Sequence, residues 1–285
     1  MGHYLSNYLD RHYLWGPRGI YDYAVFRVTI QRPTFSLYEL SASRIWFEIV
    51  YHLGIVIAVL FLLGSLGRVG TLLHYIFLSS LFLRNPLILD GGDNIASLVL
   101  LWLILTRSTD VFSLKLFSSR RYRSAHTVEG PASIGNFFHN VAVVSIILQV
   151  ALLYMTSGLY KAQGATWRDG TALYYIFQVP EFSWPPVTDF LADLPLLMVA
   201  ATYITVVLQV AVPALLLSRT GRLIVVVFGV LFHSSIGLLM GLTSFAIYMI
   251  ASECVFLTDQ EYARTVRALS NRRSLLLRRR ATHVQ

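Results

Sequence analysis

The stretch 194–217 reads LPLLMVAATYITVVLQVAVPALLL and contains no Asp, Glu, Lys or Arg. It is longer than the roughly 20 apolar residues that a helix needs to cross a bilayer. Because backbone polar groups in lipid must be hydrogen-bonded within their own segment, this stretch predicts a membrane-spanning helix. Arg219 and Arg222 follow it closely, as basic residues often do at the end of a span.

The rest of the chain repeats this pattern. Of its 285 residues, 55% are hydrophobic and only 13% are charged, against about 25% charged residues in a typical soluble protein. The apolar residues fall in blocks separated by short polar stretches, which predicts an all-α, polytopic transmembrane helical bundle of about seven spans (range about six to eight). The predicted spans are 45–63, 69–83, 95–106, 137–157, 194–217, 223–240 and 243–257.

The charge distribution predicts the orientation of the chain. The net charge is +8, and basic loops tend to remain in the cytoplasm. The loop 107–135, the Arg219/Arg222 turn and the C-terminal tail are all basic and lie an even number of predicted spans apart. We therefore expect a multi-pass cell-membrane protein, in contact with lipid, whose C-terminus is cytoplasmic. Segments 84–94 and 158–193 would face outward, and the side of the N-terminus depends on the span count.

Three parts follow from this organisation. They are a polar, aromatic-rich interfacial segment (1–44), a transmembrane bundle (45–257) and a basic cytoplasmic tail (258–285). The basic residues flank apolar blocks, so membrane orientation explains them better than nucleic-acid binding does. Cys254 is the single cysteine, which excludes an internal disulfide.

Lys161 is the first candidate for chemistry, in the sequence SGLYK at 157–161 after the fourth predicted span. A lysine at a helix end is most often an anchor that reaches toward the membrane surface. The alternative is a desolvated amine that acts as a general base, since Lys can release a proton and Arg cannot. Tyr160 and Trp167 would then contact the substrate.

A second candidate is DGGDN at 90–94. As a structural element, Asp93 or Asn94 would cap the third span after a Gly-Gly turn. As a functional element, Asp90, Asp93 and Asn94 would bind a cation, an amine or a polar headgroup. The set of ligands is too small for a metal site, so no metal is expected.

His233 is the third candidate, near the middle of the sixth predicted span. An ionisable residue at that depth should face the interior of the bundle, where it serves either catalysis or hydrogen bonding between helices. Glu253 in the seventh predicted span has a similar position.

The combination of these motifs resembles a known family. SGLYK at 157–161 followed by Trp167, WGP at 15–17, RNP before DGGDN at 84–94, and His233 in a late span resemble the HTTM family. The similarity is to its sporulation-delaying protein B-like branch, which is distantly related to the vitamin K-dependent gamma-carboxylases.

The resemblance implies a function. It implies a bacterial membrane protein that assists the maturation of a secreted peptide toxin at an outward-facing cavity, together with a small partner protein. Lys161 would be the base, His233 would lie deeper in the same bundle, and a quinone cofactor is compatible with the family. Two other functions stay open: a non-enzymatic scaffold or immunity protein that binds a peptide, and a small transporter. The transporter is disfavoured because no inverted repeat is found.

Overall fold

A computed structural model describes residues 2–30, 34–108, 134–258 and 260–262. All regular structure in these ranges is helical, as the sequence predicts. The α-helices are α1 (Gly2–Ser6), α2 (Arg11–Trp15), α3 (Tyr23–Thr29), α4 (Arg44–Leu62), α5 (Gly67–Arg84), α6 (Gly91–Leu103), α7 (Ile134–Gln163), α8 (Ala165–Arg168), α9 (Ala172–Phe177), α10 (Pro185–Ala192), α11 (Pro195–Leu215), α12 (Arg219–Leu239) and α13 (Thr243–Glu253). Short 3-10 turns occur at Leu37–Leu40, Pro86–Ile88, Pro180–Phe182 and Cys254–Phe256.

Four of the described helices, α4, α7, α11 and α12, are long and apolar enough to cross a membrane. Four is fewer than the seven spans predicted, so the all-helical class is confirmed and the count of seven stays a prediction. Helices α6 and α13 are apolar but contain only 13 and 11 residues, short of the roughly 20 that a span needs. Helix α5 has 18 residues, but Arg68, His74 and Arg84 lower its mean hydropathy.

Helix α4 shows how these helices divide their apolar side chains between two faces. Ile45, Ile49, Leu53 and Val56 are between 47% and 73% exposed, and their spacing of three or four residues places them on one side of the helix. A continuous exposed apolar face suits hydrocarbon rather than water. The opposite side buries Phe47, Val50, Tyr51, Gly54 and Ala58.

The hydrogen bonds between helices show which ends lie together. Trp102 near the end of α6 donates through Nε1 to Oε1 of Gln149 in α7 at 3.1 Å, and the Arg107 amide donates to Nδ1 of His139 at 3.3 Å. Helices α6 and α7 are thus antiparallel. The start of α6, with its DGGDN motif, lies at the same end of the bundle as Lys161 at the end of α7. We call this the Lys161 end.

The N-terminal segment is docked onto the bundle at the end of α5. The Arg84 guanidinium is 1% exposed and donates to the backbone carbonyls of Tyr21 at 2.7 Å and Gly16 at 2.6 Å. Asn85 Nδ2 donates to the carbonyl of Leu14 at 2.6 Å, and Trp15 is fully buried. The RNP and WGP motifs of the family resemblance therefore bind each other.

The basic segments on which the predicted orientation rests are largely outside the described residues. These segments are 109–133, which contains Lys115, and 263–285 in the tail. Glu261 lies within 4 Å of Arg219 (3.5 Å) and Arg222 (3.7 Å), which joins the start of the tail to the first turn of α12. The cytoplasmic side of the tail stays a prediction.

Candidate functional site

Lys161 lies in the last turn of α7 and is half-buried. Its Nζ donates a hydrogen bond to Oγ of Ser157 at 2.6 Å and lies 5.4 Å from the centre of the Trp167 ring. Tyr160, its neighbour in sequence, is 76% exposed. The structure therefore brings Lys161 and Trp167 together and leaves Tyr160 on the surface.

Helix α11 supports the Lys161 segment from one side. Gly158 approaches α11 so closely that a Cβ there would lie 2.8 Å from the Val210 side chain. Gly170 has φ +75°, a backbone conformation that favours glycine, and lies against Tyr203. The Tyr203 hydroxyl donates to the carbonyl of Arg168 at 2.6 Å. These contacts hold the chain so that Trp167 faces the amine.

Asp90 and Asp93 are bound to each other through the first turn of α6. Oδ1 of Asp90 accepts from the amides of Gly92 at 2.7 Å and Asp93 at 3.2 Å. Oδ2 of Asp93 accepts from the Asp90 amide at 3.0 Å, which completes a reciprocal capping box. Capping was predicted for Asp93 or Asn94, but the N-cap residue is Asp90. Asn94 is exposed.

The second oxygen of Asp93 binds a residue that the sequence did not single out. Nε2 of His3 lies 2.5 Å from Oδ1 of Asp93, and the two side chains are 8% and 0% exposed. The His3 ring stacks on the Tyr248 ring, with the two ring centres 6.3 Å apart, and makes an edge-to-face contact with Phe82. Both Asp93 oxygens are therefore used within the protein.

His233 lies in a buried polar cluster at the centre of the bundle. Its Nδ1 is 3.0 Å from Oε1 of Glu253, 3.2 Å from the Tyr154 hydroxyl and 3.0 Å from the carbonyl of Gly229. The Tyr154 hydroxyl also donates to Oε1 of Glu253. All three side chains are at least 98% buried. The prediction that His233 faces the bundle interior is confirmed by this geometry.

The cluster draws on three helices, and only part of it was visible in the sequence. His233 and Glu253 were recognisable as ionisable residues within apolar stretches, whereas Tyr154 was missed. The sequence did contain a signal for Tyr154, namely its spacing from Lys161. Tyr154 precedes Lys161 by seven residues on α7, which is about two helical turns or 10.5 Å along one face. Ser157 lies between them on the same face.

The candidates do not form one continuous contact network. Within the part of the chain that the structure describes, Lys161 makes no hydrogen bond or ion pair with Asp90, Asp93 or His233. The Asp93 region and His233 are linked by Phe245, which lies against Gly91 and Gly92 and 5.6 Å from the His233 ring. We find three neighbouring groups: Lys161 with Trp167, the capping box with His3, and the His233 cluster.

Comparison with known proteins places this arrangement in a family. The HTTM domain family matches residues 28–260, most of the chain. The chain belongs to the HTTM family. The match includes Asp93, Tyr154, Lys161, His233 and Glu253, whereas His3 and the WGP motif precede it.

Two relatives of this HTTM protein come from Bacillus subtilis (strain 168). Sporulation-delaying protein SdpB is 29% identical over 249 residues, which cover 84% of this chain and 73% of that protein. The uncharacterized protein YitO is 27% identical over 210 residues, 72% of this chain and 65% of that protein. No solved structure matches the chain significantly. The apolar helices and these relatives make this a membrane protein of the sporulation-delaying protein B-like branch.

No group of three or more His, Cys, Asp or Glu side chains that could hold a metal ion occurs among the residues that this HTTM structure describes. Two of the buried contacts between acidic and histidine side chains are those of His3 with Asp93 and of His233 with Glu253.

The bonding of Asp93 leads to a first prediction for this HTTM protein. Asp93→Ala leaves His3 and the Asp90 amide without their buried acceptor, and we expect a loss of about 2–3 kcal/mol in the docking of α1. Hydrogen exchange of the Tyr8 amide, which follows α1 and donates to the Leu5 carbonyl at 3.3 Å, measures this loss. Asn94→Ala, at an exposed neighbouring position, should change the free energy by less than about 0.5 kcal/mol. Normal protection in Asp93→Ala would contradict the structural role.

Proposed function

We propose that this HTTM protein assists the maturation of a secreted peptide at the outer face of the membrane, and that Lys161 is the base of that reaction. Its similarity to sporulation-delaying protein SdpB supports the class of function. The family resemblance carried by SGLYK at 157–161 supports the role of the lysine. The outer face corresponds to the Lys161 end of the bundle.

The environment of Lys161 is the observation that carries the base role. The described residues offer its amine a hydroxyl and an aromatic ring rather than a carboxylate. An ion pair would hold the amine in its charged form, whereas the Ser157 hydroxyl can accept from an ammonium and donate to a free amine. The hydrogen bond to Ser157 can therefore form with both the charged and the free amine of Lys161, the two states between which a general base alternates.

In the proposed step, the free amine of Lys161 takes a proton from an acidic group of the substrate. The bond between the substrate atom and hydrogen breaks, its electron pair stays on the substrate, and an ammonium forms at Nζ. The Trp167 ring, 5.4 Å away, favours this ammonium through its negative face. Quinone use, which the family resemblance allows, stays a prediction, and the base role does not depend on it.

A second function, a scaffold that binds a peptide without chemistry, is favoured by exposed aromatic side chains in the segment that connects α7 to α11. Tyr175, Trp184 and Phe190 are 57%, 52% and 64% exposed there, and Tyr160 adds a further exposed ring. Aromatic side chains are common both at membrane interfaces and at binding surfaces. In this case Lys161 would only hold the end of α7.

Deletion of the gene in its native host tests the proposed function. Mass spectrometry of the culture medium should show at least one peptide that is secreted in its mature form by the wild type and is missing or unprocessed in the deletion strain. Expression of the wild-type chain should restore it. An unchanged set of secreted peptides in the deletion strain would refute peptide maturation.

A further inference from the structure

The cluster of Tyr154, His233 and Glu253 has a defined set of hydrogen atoms. A backbone carbonyl only accepts hydrogen bonds, so the contact between Nδ1 of His233 and the carbonyl of Gly229 at 3.0 Å requires a hydrogen on Nδ1. The Tyr154 hydroxyl donates to Oε1 of Glu253. Oε1 therefore accepts a hydrogen bond from Tyr154 and also lies 3.0 Å from Nδ1 of His233.

Two atoms of the cluster remain without a hydrogen bond. Oε2 of Glu253 is fully buried and has no partner among the described residues. Nε2 of His233 likewise makes no hydrogen bond within the described ranges. The carboxylate fits closely against α12, because a Cβ on Gly229 would overlap with both of its oxygens. The orphaned oxygen therefore has little room for a ligand larger than a hydrogen atom.

The described residues around the cluster provide no compensating charge. Tyr154 belongs to a buried apolar cluster that includes Val150, Val225, Met249 and Phe256. A phenol, a neutral imidazole and a carboxylate together carry one negative charge, which is strongly unfavourable away from water unless it is paired or neutralised. The other ionisable side chains on α6, α7, α12 and α13 make no hydrogen bond or ion pair with the cluster in the described structure; they are Asp93, His139, Tyr160, Lys161, Arg219, Arg222 and Tyr248.

We propose that Tyr154, His233 and Glu253 form a proton-binding site in the core of the bundle, which holds one proton beyond those of a phenol, a neutral imidazole and a carboxylate. The proton resides on Oε2 of Glu253 or on Nε2 of His233, the two atoms without partners. In either case the cluster has no net charge. This site is separate from Lys161 and holds its proton whether or not the protein matures a peptide.

Spectroscopy of the purified full chain at neutral pH tests this proposal directly. Infrared spectra detect the C=O stretch of a protonated carboxyl group, and nitrogen NMR distinguishes imidazolium from neutral imidazole. We expect either a carboxyl band that disappears in Glu253→Gln, or an imidazolium signal that disappears in His233→Gln. A wild-type protein with a carboxylate at Glu253 and a neutral His233 would overturn the proposal.

Glu261 provides a matched control within the chain. It is also a buried carboxyl group in the described part, but it accepts hydrogen bonds from the amide and the hydroxyl of Thr258, which lower its pKa. Glu261→Gln should therefore leave both signals unchanged. If its substitution removes the carboxyl band, the proton lies at the wrong residue and the proposal fails.

Tyr154→Phe keeps the test decisive if Glu253→Gln or His233→Gln does not fold. This variant keeps the ring and removes only the hydroxyl that donates to Oε1 of Glu253. A carboxyl band that belongs to Glu253 should shift in frequency, and an imidazolium at His233 should change its nitrogen shift, because each has lost a hydrogen-bonding neighbour. An unchanged band and an unchanged nitrogen signal would show that the proton lies outside the cluster.

Discussion

Lys161→Ala is expected to lower the rate of peptide maturation by about 10²–10⁴-fold, the usual contribution of a general base. The variant should still reach the membrane, since the half-buried Lys161 side chain contributes one hydrogen bond, to Ser157, and one ring contact. The ratio of mature to unprocessed peptide in the medium measures the effect. Immunoblotting of membranes shows whether the protein level is unchanged.

Two further variants separate a base from an anchor. Lys161→Arg keeps the charge and the length, but Arg does not give up its proton at physiological pH, so it should be as inactive as Lys161→Ala. Ser157→Ala removes one hydrogen bond and keeps the amine, so a loss of no more than about tenfold is expected. Full activity in Lys161→Arg would eliminate the base role and favour a scaffold.

Arg84→Ala is expected to weaken the docking of the N-terminal segment by about 3–6 kcal/mol, because two hydrogen bonds from a buried charged group are lost. Its guanidinium bonds the carbonyls of Tyr21 and Gly16, and both acceptors would be left without this donor. Cζ of the Arg84 guanidinium also lies 5.1 Å from the centre of the Phe26 ring. Hydrogen exchange of residues 14–21 should become at least about a hundredfold faster, since each factor of ten corresponds to about 1.4 kcal/mol.

Arg27→Ala is the matched control for Arg84→Ala. Arg27 pairs with Glu39 at 2.9 Å, but its side chain is 48% exposed, and such surface pairs contribute about 0–1 kcal/mol. Exchange in residues 14–21 should therefore be close to that of the wild type. Equal effects of the two substitutions would show that Arg84 does not anchor the segment.

The sequence predicted individual helices better than it predicted their number of membrane crossings. Apolar blocks identified the helices, because a run of apolar residues is a local property. The predicted span 137–157 lies within α7 (Ile134–Gln163), which extends through Lys161. Three of the seven predicted spans fall short of a full crossing by length and composition. Helices α6 and α13 are too short, because hydropathy does not show where a helix ends, and charged side chains lower the hydropathy of α5. The capping box of Asp90 and Asp93 sets the start of α6.

The sequence by itself determined the all-helical membrane class, the family, and the ionisable residues that stand out in apolar surroundings, such as Lys161 and His233. Only the tertiary structure decided their partners. His3 meets Asp93 across 90 positions, and Tyr154 meets Glu253 across 99. Such pairs depend on how helices rotate and pack against each other, and hydropathy along one chain does not encode that rotation. The sequence therefore did not reveal that Asp93 is hydrogen-bonded within the protein. The His233 cluster likewise became recognisable as a site only when three helices were assembled.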